Sequence, residues 1–139
     1  MGEKITELSC NMDDMTGEEL GYAMDLVISE GALDAYATPV FMKKGRPGYL
    51  LTVLCKDEDK DRFAGLIFRH TTTIGIRITE HARYVMERVT ITRDTAEGVI
   101  HSKISEGFGV SREKYEFEDL KGIAQKRGIS IREARELLQ

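Results

Sequence analysis

The sequence predicts an α+β fold, and three observations carry that prediction. The first is order: over the first eighty residues the hydrophobic pattern reads strand, helix, strand, strand, helix, strand. The second is Pro39, which cannot donate to an inner ladder and so places the second strand at a sheet edge. The third is Tyr49 to Cys55, an almost continuous apolar run suited to a central strand. A ferredoxin-like split βαβ (βαββαβ) has its second strand at an edge and its third inside, so the observations agree. A smaller β-hairpin plus a helical C-terminal segment follows, and the expected division is residues 1–80 and 81–139.

Each element has a local cause. Ile5 to Asn11 opens the chain as a strand, with Leu8, Cys10 and Met12 sharing one face. Asp13-Asp14 ends it, and Thr16 with Glu19 forms a capping box for the first helix. Leu20, Ala23, Met24, Val27 and Ile28 give that helix its apolar stripe, and Gly31 its left-handed stop. Leu33 to Met42 is the edge strand, Lys43 to Gly48 a turn, and Tyr49 to Cys55 the inner strand. Asp57-Glu58-Asp59 opens the second helix, whose buried stripe is Phe63, Leu66 and Ile67. After the Thr71-Thr72-Thr73 loop come strands at Ile74–Thr79, Arg83–Arg93 and Gly98–Ser105, the last two joined by a turn around Asp94. A helix from about Glu116 to Arg127 stops at Gly128, and Ser130 with Glu133 caps a final helix.

Composition narrows the function classes. The chain has 139 residues, 41% of them hydrophobic, and no run approaches a membrane span. Twenty basic residues against twenty-four acidic give a net charge of −4, which argues against a binder that presents its whole surface to nucleic acid. The two cysteines, Cys10 and Cys55, make no disulfide framework and suit core positions in neighbouring strands, so the cytoplasm is the expected compartment. Zinc-ligand spacing, a Walker A loop, GxGxxG and GxSxG are all absent from the sequence.

Following the chain up and down through this fold brings three loops to one end: Asn11 to Glu18, Lys43 to Gly48 and His70 to Gly75. Lys43, Lys44 and Arg46 supply positive charge there, and arginine can bind phosphate through two parallel bonds. Thr71, Thr72 and Thr73 add hydroxyl donors, and the first turn of a helix adds free amides. Asp13, Asp14 and Glu18 offer hard oxygens for Mg²⁺ or Mn²⁺. Carboxylates beside a helix start repel a bare phosphate, but a divalent cation between them reconciles the two. A polyphosphate–metal site is the expectation. The plainer readings are an ordinary helix start, a solvated turn and a threonine-rich loop. The C-terminal helices, with Lys121, Lys126, Arg127, Arg132 and Arg135, also have a helix-turn-helix look, which would suit DNA.

Several runs are familiar together: Asn11 to Glu18 (NMDDMTGE), Leu20 to Met24, Gly31 to Asp34, Thr38 to Gly48 (TPVFMKKGRPG), Leu50 to Cys55 and Phe68 to Arg77 (FRHTTTIGIR). In these runs the chain resembles the C-terminal domain of the LarC family, nickel-insertion proteins for the nickel-pincer nucleotide cofactor of lactate racemase. The resemblance implies part of a CTP-dependent nickel chelatase of the lyase class. Its reaction places nickel in pyridinium-3,5-bisthiocarboxylic acid mononucleotide. It also implies binding of CTP with Mg²⁺ or Mn²⁺, a homo-oligomer, and partnership with an N-terminal domain that this sequence lacks. Nucleic acid and membrane are not among the implied partners. Residue by residue, the resemblance draws interest to Asp13, Asp14, Lys43, Lys44, Arg46, Thr71, Thr72, Thr73 and Arg77. No residue is assigned to catalysis. A nucleotide-binding or oligomerisation module without chemistry is the alternative.

Overall fold

A computed structural model describes residues 2–139. They form two compact units, Gly2–Tyr84 and Val85–Gln139.

In the first unit the elements are β1 (Gly2–Met12), α1 (Gly17–Ser29), β2 (Asp34–Met42), β3 (Arg46–Cys55), α2 (Lys60–His70) and β4 (Arg77–Tyr84). The strands form one antiparallel sheet in the order β2-β3-β1-β4, the ferredoxin-like arrangement. Pro39 lies on edge strand β2 and the apolar run lies on inner β3. Leu8, Cys10 and Met12 of β1 share a face with Leu51, Val53 and Cys55 of β3, and α1 and α2 cover that face with Leu20, Val27, Phe63 and Ile67. Both cysteines are buried free thiols. Burial pushes the Cys10 thiol up in pKa, although the Thr73 hydroxyl and the Arg77 charge pull the other way. Thr16 and Glu19 make the expected capping box, and Gly31 sits beyond α1 at φ 101°.

Two boundaries move. Asp57–Asp59 is a 3₁₀ turn before α2, closed by the Lys60 amide on the Asp57 carbonyl, and the Asp57 carboxylate accepts from the Thr6 hydroxyl at 2.9 Å and Lys60 at 3.1 Å. The last strand of this unit begins at Arg77, not Ile74, and Ile74 is 99% exposed. The Thr73 hydroxyl donates to the Gly75 carbonyl at 2.7 Å, a local turn bond that competes with the ladder.

The second unit holds β5 (Glu87–Thr95), β6 (Gly98–Gly107), β7 (Val110–Tyr115), α3 (Phe117–Arg127) and α4 (Ile131–Leu137), with sheet order β5-β6-β7. The single strand expected over Arg83–Arg93 is two, since β4 ends at Tyr84 and β5 belongs to the other sheet. The turn expected near Asp94 falls at Ala96-Glu97, where the Thr95 hydroxyl bonds the Gly98 carbonyl at 2.7 Å. Strand β7 was not foreseen. Gly128 stops α3 at φ 66°, and Ser130 with Glu133 caps α4. The two helices bury Leu120, Ile123, Ala124 and Ala134 with Ile100 of β6, while Phe117 and Leu137 stay exposed. They pack on a sheet and not on a third helix. No helix among the described residues is long and apolar enough to cross a membrane.

Candidate functional site

The three loops meet at one end of the first unit. Asp13 and Asp14 follow β1 directly, before the Thr16 cap. The β2–β3 turn reaches them because β3 runs tightly along β1 there. At Gly48 any Cβ would lie 2.4 Å from the Met12 carbonyl oxygen and 2.6 Å from Met42 Sδ, so only glycine fits. The turn itself reverses through Lys44 at φ 64° and Gly45 at φ 66°. Arg46, the first residue of β3, then donates from Nη1 to Asp13 Oδ2 at 3.3 Å. Lys43 and Lys44 are exposed on the turn and make no ion pair among the described residues.

From the third loop, Thr72 Oγ1 donates to Asp14 Oδ1 at 2.6 Å. The neighbouring threonines shape the loop instead. Thr71 Oγ1 donates to the Ile67 carbonyl at 2.7 Å and so finishes α2, and its oxygen also accepts from the Thr73 amide at 3.3 Å. Arg77 Nη2 donates to Asn11 Oδ1 at 2.7 Å, tying the start of β4 to the end of β1.

Glu18 lies farther round the end, on the wall of a cavity of about 490 Å³ between α1 and the end of α2. Tyr22, Arg69, His70 and Thr72 also line it, and the Tyr22 and His70 rings stand 5.9 Å apart at 56°. The sequence brings Glu18, His70 and Thr72 to this end, while Tyr22 and Arg69 join them only in the fold. The available signal was the i, i+4 relation of Tyr22 to Glu18 on α1 and the place of Arg69 in the last turn of α2.

The three carboxylates do not form a cage. Asp13 is engaged by Arg46, Asp14 by Thr72, and Glu18 faces the cavity. Among the described residues no three His, Cys, Asp or Glu side chains are grouped to hold a metal ion. A divalent cation carried on a polyphosphate needs only one or two protein carboxylates, since phosphates and water complete its shell. Asp13 and Asp14 supply two carboxylates at this end, and Lys43 and Lys44 stand on the turn that carries Arg46.

The chain matches the family model described as nickel insertion protein over residues 1–135. It is 43% identical over 129 residues to the pyridinium-3,5-bisthiocarboxylic acid mononucleotide nickel insertion protein of Acetivibrio thermocellus, covering 93% of this chain and 32% of that protein. It is 45% identical over 123 residues to the protein of the same name from Geobacillus kaustophilus, covering 88% of this chain and 30% of that one. Among solved structures it resembles LarC2, described as the C-terminal domain of a cyclometallase involved in the synthesis of the NPN cofactor of lactate racemase. That match has a TM-score of 0.92 and 35% identity, covering 99% of this chain and 96% of LarC2. The chain spans between 30% and 42% of the length of the curated relatives it matches. With its fold and nearly its whole length accounted for by these matches, the chain belongs to the LarC family of nickel insertion proteins.

Proposed function

We propose that this chain is the CTP- and divalent-cation-binding part of a protein that inserts nickel, as substrate, into pyridinium-3,5-bisthiocarboxylic acid mononucleotide. The reaction is named by the relatives. The observation that supports the nucleotide site is the meeting of Asp13 with Arg46 and of Asp14 with Thr72.

The Asp13–Arg46 pair has a mechanical reading. A triphosphate carrying Mg²⁺ or Mn²⁺ offers each partner a better one: the phosphate takes the guanidinium and the cation takes the carboxylate. The pair then opens as the ligand arrives, and neither charge is left alone. Lys43 and Lys44 add charge to the outer phosphates, and Thr72 holds Asp14 toward the cation. Arg77 braces the strand beneath. The preference for cytosine comes from the family resemblance. The cytoplasm as setting, a homo-oligomer and cooperation with an N-terminal portion belong to the same proposal. A second reading, a binding module that does no chemistry by itself, is favoured by the chain's spanning less than half of its relatives.

The test is a calorimetric titration of the chain with CTP, ATP, GTP and UTP, each with and without Mg²⁺ or Mn²⁺. CTP with a cation should bind most tightly. Absence of binding by all four would refute the site. Nickel insertion assayed with this chain alone, and with the remaining portion of a relative added, separates the two readings.

A further inference from the structure

We infer that the open face of the β5-β6-β7 sheet binds a phosphate-bearing pyridine mononucleotide, held by Arg88, Lys103, Arg112 and Lys114 around Ser105. The choice of ligand rests on the substrate in the proposed function; the site is distinct from the one described above.

The register builds this face. Arg88 pairs with Ser105, and Ser105 with Arg112, so the two guanidinium side chains flank a serine in one row across three strands. In the next row Thr90 pairs with Lys103, and Lys103 with Lys114. Strand alternation puts these side chains opposite Ile100 and Tyr115, which face the helices. Nothing in the second unit covers them: Arg88, Thr90, Lys103, Arg112 and Lys114 are all exposed.

The charge placement is costly for a sheet without a ligand. Lys103 and Lys114 stand directly opposite one another, a like-charge pair that disfavours the ladder. Lys103 reaches Glu116 at 3.1 Å, but Arg88, Arg112 and Lys114 make no ion pair among the described residues. The unit pairs Arg93 with Glu113 and Arg127 with Glu97, and among the described residues it also leaves Lys121, Lys126 and Arg135 of the helices without an ion pair; what sets the sheet face apart is that its cations are gathered in two adjacent rows. Three unpaired cations, with Lys103 beside them, therefore surround a half-buried serine in a chain of net charge −4.

Size selects the ligand. Two strand spacings by one two-residue step is about 10 by 7 Å, room for one mononucleotide. At the Thr92–His101 row the face changes character, with His101 held by Asp119 and Asp94 acidic one step further on, so a polymer would run onto carboxylates. The two arginines suit a phosphate dianion through paired bonds, and the lysines suit acidic groups on a ring as point charges. A pyridinium bisthiocarboxylic acid mononucleotide carries both kinds of anion.

The probe is nicotinic acid mononucleotide, a pyridinium ring with one carboxylate and one phosphate, titrated calorimetrically into the 139-residue chain at low salt. Nicotinic acid riboside and a short RNA serve as comparisons. The mononucleotide should bind, the riboside at least tenfold more weakly, and the Arg112→Gln/Lys114→Gln double variant should lose at least tenfold. The melting temperature of that variant should match or exceed the parent's, since a like-charge pair is relieved. If it does not fold, Arg88→Gln is read in its place. Absence of mononucleotide binding, unchanged affinity in the folded variant, equal binding of the riboside or preference for RNA would each overturn the inference. CTP with Mg²⁺ is titrated on the same proteins and should be unaffected. Loss of CTP binding in the parent with mononucleotide binding intact refutes only the proposed nucleotide site, and the converse refutes only this face.

Discussion

The two units of the chain spend their side chains differently. The first closes a core of Leu8, Cys10, Met12, Leu51, Val53, Phe63 and Ile67, all of them at 2% exposure or less, between a four-stranded sheet and two helices. The second has one sheet and two helices around Ile100, Leu120, Ile123, Ala124 and Ala134, and adds ion pairs whose basic partners are exposed. A larger apolar core can carry strained or repulsive features at its rim, and the first unit does so at its loop end. The smaller unit has less to spare. Its ion pairs, each of modest worth, should therefore weigh more in its balance, even though one face gathers like charges.

The largest expected effect probes that contrast directly. Phe63→Ala removes the largest fully buried side chain of the first unit and should cost about 3–5 kcal/mol. Ile123→Ala, in the second unit at 5% exposure, should fall nearer the low end of the usual range, about 2 kcal/mol. Amide hydrogen exchange followed separately in each unit reads both. A larger loss from Ile123→Ala would reverse the ranking of the two cores.

Next come the residues of the loop end. Arg46→Ala should weaken binding of the triphosphate by about 1.5–3 kcal/mol in the titration, because a charge-assisted bond is lost. Asp13→Asn should weaken binding of the metal–nucleotide more than that of the nucleotide alone. Equal losses would make Asp13 a partner of Arg46 only. Gly48→Ala should cost about 1–3 kcal/mol, since its Cβ would meet the rigid Met12 carbonyl at 2.4 Å, and should also weaken nucleotide binding by shifting Arg46. The corresponding change in the second unit, Gly107→Ala, meets the flexible Met86 side chain at 3.2 Å and should cost less. Thermal melts of the two variants order them.

Legibility follows the same division. The first unit could be read because its signals are local and strong: a proline at an edge, an apolar run inside, a capping box before a helical stripe. Two of the three loops announced their contacts by composition, with Arg46 near acids and threonines near acids, and topology brought them together. Which threonine would face Asp14 was not legible, because Thr71 and Thr73 are claimed by backbone groups that only the folded loop supplies. The Tyr22–His70 contact was hidden for a similar reason, as the two rings meet only when α1 and α2 pack. In the second unit β7 escaped notice because Ser111, Arg112, Glu113 and Lys114 offer no apolar alternation. The strand is fixed by pairing with β6 and by the tight Phe108-Gly109 reversal, at φ 52° and 73°.

The smallest effects concern pH, where the units should also part. In the second unit the His101 backbone amide, donating to Asp119 at 2.6 Å, holds that carboxyl below its ordinary range, with the imidazole adding to it. Arg127 lowers Glu97 and Arg93 lowers Glu113 in the same way. The first unit has one such group among the described residues, Asp57, lowered by Lys60 and Thr6. A carboxyl whose folded pKa is depressed stabilises the fold above its unfolded value, and that contribution fades as pH falls through the folded one. The window is therefore below about pH 4.5, where unfolded Asp and Glu begin to take up protons. Asp57 is about half exposed, so its contribution is small and screened by salt, whereas the Glu97 side chain is only 8% exposed beneath Arg127 and is screened less. Three in a unit with a small core should still outweigh one in a unit with a large core. On titration from pH 7 to pH 3, amides of β5–β7 and α3 should lose exchange protection before those of β1 and β3. Raising the salt at neutral pH should move the second unit in the same direction. Earlier loss in the first unit would show that the small core, and not the ion pairs, holds the second unit together.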